Sequence, residues 1–317
     1  MTDDPKRAVR VLLFGELGAS KFELQDAIWH GDDGLEPILD RAVKVVVEAG
    51  KPAHADDQFR PCVHEDLLLV YQMVDLPGYA RQIEEVASRF ADEIATSSQC
   101  HFCMATLHVQ ALLGQRRYAD ADRLAIGYIA TLPSPDPKQW WYSRWLDLVC
   151  LRADIAAARG AHDTLREVVA VLRGALPDVP SDNTVLRATM RRGELQLAIA
   201  EGDAASAAAS YAAVTEGIQA SADVVLGARV MYATYLGAAG RWRESREISE
   251  PGIAIARARN AYRWEAELCM LALQGCKALG VAAPAERVRE LEVVIGKLHS
   301  GDLDDVARSL GARISPR

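Results

Sequence analysis

Cys103 to Pro133, CMATLHVQALLGQRRYADADRLAIGYIATLP, reads as two helices joined by a tight turn. Its landmarks are Gly114, Tyr118, Ala121, Tyr128 and Pro133. They give a turn, an aromatic residue, a small residue, a bulky residue and a closing proline, in that order. The remainder of the chain carries imperfect copies of this unit. Candidate turns fall near Pro77-Gly78, Arg116, Gly160, Gly202, Gly240 and Gly280, at intervals of about 39, 44, 42, 38 and 40 residues. Pro177 closes the hairpin after Gly160 as Pro133 closes the one before it.

Each first helix carries two positions, three apart, that are small or apolar in every copy. The first set is Val70, Val109, Ala153, Leu195, Ala233 and Leu273; the second is Met73, Leu112, Ala156, Ala198, Leu236 and Cys276. Residues at i and i+3 share a helical face. A face that is apolar in every copy can pack on the next copy and build a continuous core. The alanine-rich stretch around Tyr211, Val214 and Ile218 fits a packed helix: high helix propensity, with small side chains that let helices approach closely.

The order of landmarks from Cys103 to Pro133 resembles one tetratricopeptide (TPR) unit, a helical hairpin of roughly 34 residues. The resemblance extends from about residue 62 to residue 299, in repeats longer and less regular than the consensus. It is similar to the TPR-like superhelices of bacterial regulators and scaffolds. It implies an all-α, right-handed superhelix (α-solenoid) of about seven TPR-like helical hairpins. Residues 1–61 would be an N-terminal helical cap and residues 62–317 the superhelix with a C-terminal capping helix. In such folds the first helix of each hairpin lines the concave surface, which binds a peptide, a partner protein or a small ligand.

Bulk properties bound the class. The 317 residues are half apolar and a quarter charged, so a large core can form, and the net charge is −8. No run of 18 apolar residues predicts a membrane-spanning helix. The N-terminal MTDDPKRAVRVLLFGELG does not read as a signal peptide, because Asp3 and Asp4 precede the basic pair and the apolar run is short. Six cysteines in this length are not a disulfide framework, so free thiols in a reducing cytoplasm are expected.

At the N-terminus, Lys6–Leu17 predicts a short helix stopped by Gly18. Ser20 with Glu23 predicts a capped second helix to His30, and HGDDG (30–34) a turn. Leu35–Ala49 predicts a third helix, with Leu35, Ile38, Leu39, Ala42, Val45, Val46 and Ala49 on one stripe. SKFELQDAIW loosely resembles a stretch of winged-helix activators, and three short helices suffice for a helix-turn-helix-like module. However, residues 1–60 carry eight basic and twelve acidic side chains, which argues against nucleic acid as a partner. Pro251 with Gly252 predicts a kink or break in the second helix of its hairpin. A last short helix is expected from about Asp302.

Three constellations are candidates for function. One residue after the first core set stand Tyr71, Gln110, Asp154, Gln196, Thr234 and Gln274, all able to hydrogen-bond, as a solvent-lined groove requires. Arg192, one helical turn before Gln196, joins them. Second, in PSPDPKQWWYSRWLDL (133–148), Trp140, Arg144, Asp147, Leu151 and Asp154 form one stripe leading into that row. Trp and Arg are enriched at binding hot spots, while Trp141 and Trp145 are expected in the core. Third, Cys62 and Cys100 stand 38 residues apart, about one repeat, so they should meet on adjacent first helices. Cys62, His64, Cys100 and Cys103 could converge as a tetrahedral zinc site; CxxC spacing also permits redox chemistry, and ordinary packing explains buried cysteines equally well.

No GxxxxGK[ST], HExxH or GxSxG occurs, which lowers the expectation of an enzyme without removing it. The sequence therefore predicts a binding or scaffold protein, with no cofactor unless zinc. A ligand-sensing regulator with the N-terminal helices as output is the alternative, and a helical-repeat enzyme a second one. A homodimer is compatible with either.

Overall fold

In a computed structural model, residues 5–30, 34–94, 98–215 and 222–314 are described. The chain is all-α, with fourteen α-helices and no strand among those residues. Five helical pairs account for most of it: α4 (Gln99–Gly114) with α5 (Tyr118–Thr131), α6 (Trp141–Arg159) with α7 (His162–Ala175), α8 (Thr184–Glu201) with α9 (Ala204–Thr215), α10 (Ala222–Ala238) with α11 (Trp242–Ala258), and α12 (Tyr262–Ala278) with α13 (Ala285–Lys297). Before them come α1 (Pro5–His30), α2 (Leu35–Ala49) and α3 (Arg60–Glu93), and after them the short α14 (Asp304–Ser309).

One turn geometry recurs in all five pairs. Arg116, Gly160, Gly202, Gly240 and Gly280 take φ of 60°, 65°, 70°, 75° and 65°, in the left-handed region. After each, an amide bonds the carbonyl five residues back: Arg117 to Leu112, Ala161 to Ala156, Asp203 to Ala198, Arg241 to Leu236 and Val281 to Cys276, at 2.8–3.0 Å. This satisfies a helix-end carbonyl that would otherwise lack a partner. The five acceptors all belong to the second apolar set named above. That position therefore both packs the core and anchors the turn. All twelve residues of the two sets are buried.

The first hairpin is made differently from the other five. The expected turn at Pro77-Gly78 is absent, and α3 is helical on both sides of a single kinked residue, Asp75 (φ −164°, ψ 82°). Its halves fold against each other: the Phe90 ring packs on His64, with centroids 4.7 Å apart, and lies near Arg60. Pro77 falls in the first turn after the kink, where a missing N–H costs nothing.

Three further expectations are corrected. The N-terminal helix is broken at Gly15 (φ 73°), not stopped by Gly18. A Cβ on Gly18 would lie 2.7 Å from the Phe59 ring, so that glycine serves close packing inside the helix. Ser20 is consequently inside α1, and Glu23 pairs with Arg7 at 2.7 Å instead of closing a capping box. In the third correction, α11 continues through Pro251 without a break. Gly252 there allows contact, since its Cβ would stand 2.8 Å from Leu268. The turn expected at 30–34 and Ile218 lie partly or wholly outside the described residues.

The first helices pack in succession, α4 on α6, α6 on α8, α8 on α10 and α10 on α12. α12 in turn packs on α3, which packs on α4. One core cluster consequently joins both ends of the chain: Leu24, Ile38 and Leu68 belong to it together with Leu268, Leu291 and Ile295. Backbone bonds reinforce the junction, with the Leu35 amide donating to the Arg259 carbonyl at 2.8 Å and the Arg259 guanidinium to the Ile28 carbonyl at 3.1 Å.

Candidate functional site

Four successive first helices contribute a chain of paired polar groups. On α6, Arg144 donates to Asp147 at 3.0 Å. Two turns later Asp154 accepts from Arg192 of α8 at 2.7 Å and from Gln196 of α8 at 2.6 Å. On α10, Asp223 accepts from the Trp264 indole of α12 at 2.5 Å. On α12, Arg263 bonds Glu267 at 2.6 Å and grips Asp302 through both terminal nitrogens at 2.7 and 2.9 Å. Each link joins one helix to the next or fixes a charge beside it.

These groups share an unusual environment. Arg144 and Asp147 each keep 28% of their side-chain surface accessible, and Arg192 and Glu267 keep 20%. Yet desolvation dominates the carboxyls of Asp147, Asp223 and Glu267 and pushes all three above the usual range. Arg144, the Trp264 indole and Arg263 respectively offset part of that. Arg192 is held above its ordinary value, first by the Asp154 charge. Partial burial among the packed first helices is the physical cause of these shifts.

The candidate row divides accordingly. Asp154, Gln196, Arg192, Arg144 and Asp147 belong to the network. Tyr71 stacks on Tyr79 with centroids 4.2 Å apart, and the Tyr79 hydroxyl lies 2.6 Å from His299 Nε2, so Tyr71 sits at the junction of the chain ends. Gln110 is half-buried, with its carbonyl oxygen buried and lacking a hydrogen-bond partner. Gln274 is half-buried, while Thr234 is exposed and returns its hydroxyl to Val230 at 2.7 Å. Trp140 is 44% exposed, ahead of α6, with its ring 6.3 Å from Phe102. Trp141 and Trp145, expected in the core, are half-buried.

Sequence reasoning missed Asp223, Trp264, Arg263 and Glu267. A signal for two of them was available. Arg144 and Asp147 stand nine and six residues before the core residue Ala153, Trp264 and Glu267 stand likewise before Leu273, and Cys100 and Cys103 before Val109. Extending the register two turns toward the N-terminus of each first helix would have placed these pairs on one face.

The thiol set is only partly assembled. Cys62 of α3 and Cys100 of α4 stand 3.0 Å apart, sulfur to sulfur. His64 instead packs on Phe90 and directs Nδ1 to the Arg60 carbonyl at 2.8 Å. Cys103 is buried; desolvation raises its thiol, with Glu65 adding to the rise. Among the described residues, no group of three or more His, Cys, Asp and Glu side chains is arranged to hold a metal ion. No helix among them is long and apolar enough to cross a membrane.

No protein-family model matches the chain, and no curated protein is similar to it.

Proposed function

We propose that the chain is a TPR-like, right-handed superhelix of helical hairpins that works as a binding protein in the cytoplasm. Its ligand is a small polar molecule or the end of a peptide, held among the first helices. The observation that carries this reading is the Asp154–Arg192–Gln196 trio: two opposite charges keeping 16% and 20% of their side-chain surface accessible, and a buried amide, shared between consecutive helices. Such groups present directed donors and acceptors without the full screening of bulk water. The packing of α12 back on α3 favours a compact ligand over a long peptide. Six helices spaced about 10 Å apart around a circle leave roughly 10 Å across the middle.

The test is a thermal-shift screen of amino acids, nucleotides, organic acids and short peptides on the native protein. Hits are titrated against Arg144→Ala and Arg192→Gln. At least a tenfold loss of affinity in one variant, with helicity by circular dichroism retained, supports the reading. Hits insensitive to both changes overturn it.

A second reading, a ligand-sensing regulator with the N-terminal helices as output, is favoured by one observation. Arg259 stands between Asp223, on which its charge acts, and the Ile28 carbonyl. A ligand at Asp223 would thus act one residue away from α1. Hydrogen exchange in residues 16–49 that slows on ligand binding supports this; no change there rejects it.

A further inference from the structure

Two thiols meet at the contact between α3 and α4. Cys62 and Cys100 are each partly accessible, and their sulfurs stand 3.0 Å apart. That is inside the usual separation of two non-bonded sulfurs and about 1 Å longer than a disulfide bond. We propose that Cys62 and Cys100 form a reversible dithiol/disulfide couple, oxidised by hydroperoxides, that locks α3 to α4.

The surroundings divide the roles between the two sulfurs. Cys100 lies in the first turn of α4, where the unpaired amides favour a thiolate. The contact with Cys62 comes first in holding Cys100 below an ordinary thiol, against burial and Glu65, with the Ser98 hydroxyl and Lys21 acting in the same direction. Cys62 itself is driven up, first by that same contact and then by burial. Asp66, four residues beyond Cys62 on the same face of α3, is fully buried and lies within electrostatic reach of Cys100. Cys100 is therefore the attacking sulfur and Cys62 the resolving one. Cys103, buried and beside Glu65 and Arg144, takes no part. Nor do Cys150, Cys269 and Cys276, which are buried.

The chemistry balances with a hydroperoxide as oxidant. The Cys100 thiolate attacks the outer peroxide oxygen. An S–O bond forms as the O–O bond breaks, and the leaving oxygen takes a proton and departs as water or an alcohol. Cys100 is now a sulfenic acid. Cys62 then loses its proton and attacks that sulfur. An S–S bond forms as the S–O bond breaks, and hydroxide departs as water with the proton from Cys62. The hydroperoxide gains two electrons, one from each sulfur. A small dithiol reverses the step by thiol–disulfide exchange.

The test uses the full chain and hydrogen peroxide at about one equivalent, with alkylation in denaturant and mass spectrometry as readouts. Alkylatable thiols should fall from six to four. A tryptic cross-link should join residues 45–81 to residues 90–116, and dithiothreitol should remove it. Cys103→Ser should keep the cross-link, and Cys62→Ser and Cys100→Ser should each abolish it. A second measurement needs no oxidant. At limiting iodoacetamide the native protein should label Cys100 first, with a rate midpoint below that of a free thiol, and Cys62→Ala should move that midpoint upward. Six thiols surviving the peroxide, a link from Cys100 to Cys103, or a link between two chains would each overturn the proposal. So would a Cys100 midpoint no lower than that of a free thiol, an outcome that does not depend on any variant folding.

Discussion

Asp75 and Ser300 lie 225 residues apart, yet one carboxylate fixes the other residue twice. Asp75 Oδ2 accepts the Ser300 amide at 2.8 Å, and Oδ1 accepts the Ser300 hydroxyl at 3.0 Å. The His299 amide bonds Oδ2 as well, at 2.8 Å, and Asp75 is fully buried. A carboxylate buried without such donors would leave its oxygens unpaired. The kink in α3 is what brings its side chain to them.

Asp75→Ala should therefore destabilise the protein by about 3 kcal/mol, because it removes the acceptor of two backbone amides and a hydroxyl and leaves them unpaired. Urea denaturation measures the loss. Hydrogen exchange should locate it, with protection falling in α12–α14 before α6–α8. A loss spread evenly over the chain would show that the contact is not a junction.

The recurrent left-handed turn gives a pair of opposite predictions. Gly202→Ala should cost about 1 kcal/mol, since an L side chain at φ 70° is strained. Arg116 occupies the equivalent place at φ 60°, and Arg116→Gly should stabilise by up to about 1 kcal/mol. Its ion pair with Asp302 is 3.8 Å long and the arginine is largely exposed, so little is lost with it. Chemical denaturation of both variants checks the signs.

Asp66 supplies a pH test. It is fully buried, and desolvation raises its carboxyl well above the ordinary value, with Glu65 adding to the rise. Folding then favours the protonated form. The contribution is fully present below the unfolded-state value, near pH 4, and is lost as the pH rises through the folded value. Asp66→Asn should be nearly neutral at pH 4 and increasingly stabilising above it, by at most about 1.4 kcal/mol per pH unit. Denaturation midpoints at pH 5 and pH 8, compared with the wild type, decide it; an equal effect at both pH values rejects the argument.

Asp154 and Arg192 can be separated by a double-mutant cycle. Asp154→Leu alone should cost roughly 3 kcal/mol, because it leaves the Arg192 charge without its main partner. Adding Arg192→Met should recover most of that stability, since a well-packed apolar pair often replaces a desolvated ion pair at little cost. Thermal denaturation gives the stability arm. Ligand affinity should not recover with it if the pair is a recognition element.

The parts of the fold that follow local rules were legible. Val70 and Met73, and their counterparts in the later helices, announced the buried face because helical periodicity repeats wherever a first helix must pack on the next. Gly160, Gly202, Gly240 and Gly280 announced turns because only glycine takes a left-handed φ at no cost. In the hairpin from Cys103 the turn signal is Gly114, yet Gly114 is the last residue of α4 and Arg116 takes the left-handed place. The parts set by distant partners were not legible. Nothing near Asp75 tells of residues 299 and 300, and local turn residues point instead to Pro77-Gly78. Gly18 and Gly252 look locally like breaks, although the chain uses them to admit Phe59 and Leu268.

The site shows the same division. Cys62 and Cys100 were matched by a spacing close to one repeat, and that pairing is local in helix geometry. His64, two residues after Cys62, stands about 200° around the helix and so meets Phe90 instead. Asp223 and Trp264 stand 41 residues apart. They meet because α10 packs on α12, which no single helix reveals.

The core shared by the first and last helices changes how the chain should come apart. An open row of hairpins has two loose ends, melts inward from either one, and tolerates the gain or loss of a unit. Here Leu24 and Ile295 belong to one cluster, so neither end can fray without exposing the other. Unfolding should be closer to all-or-none than in an open array. Deleting one interior hairpin should also leave the ends unable to meet.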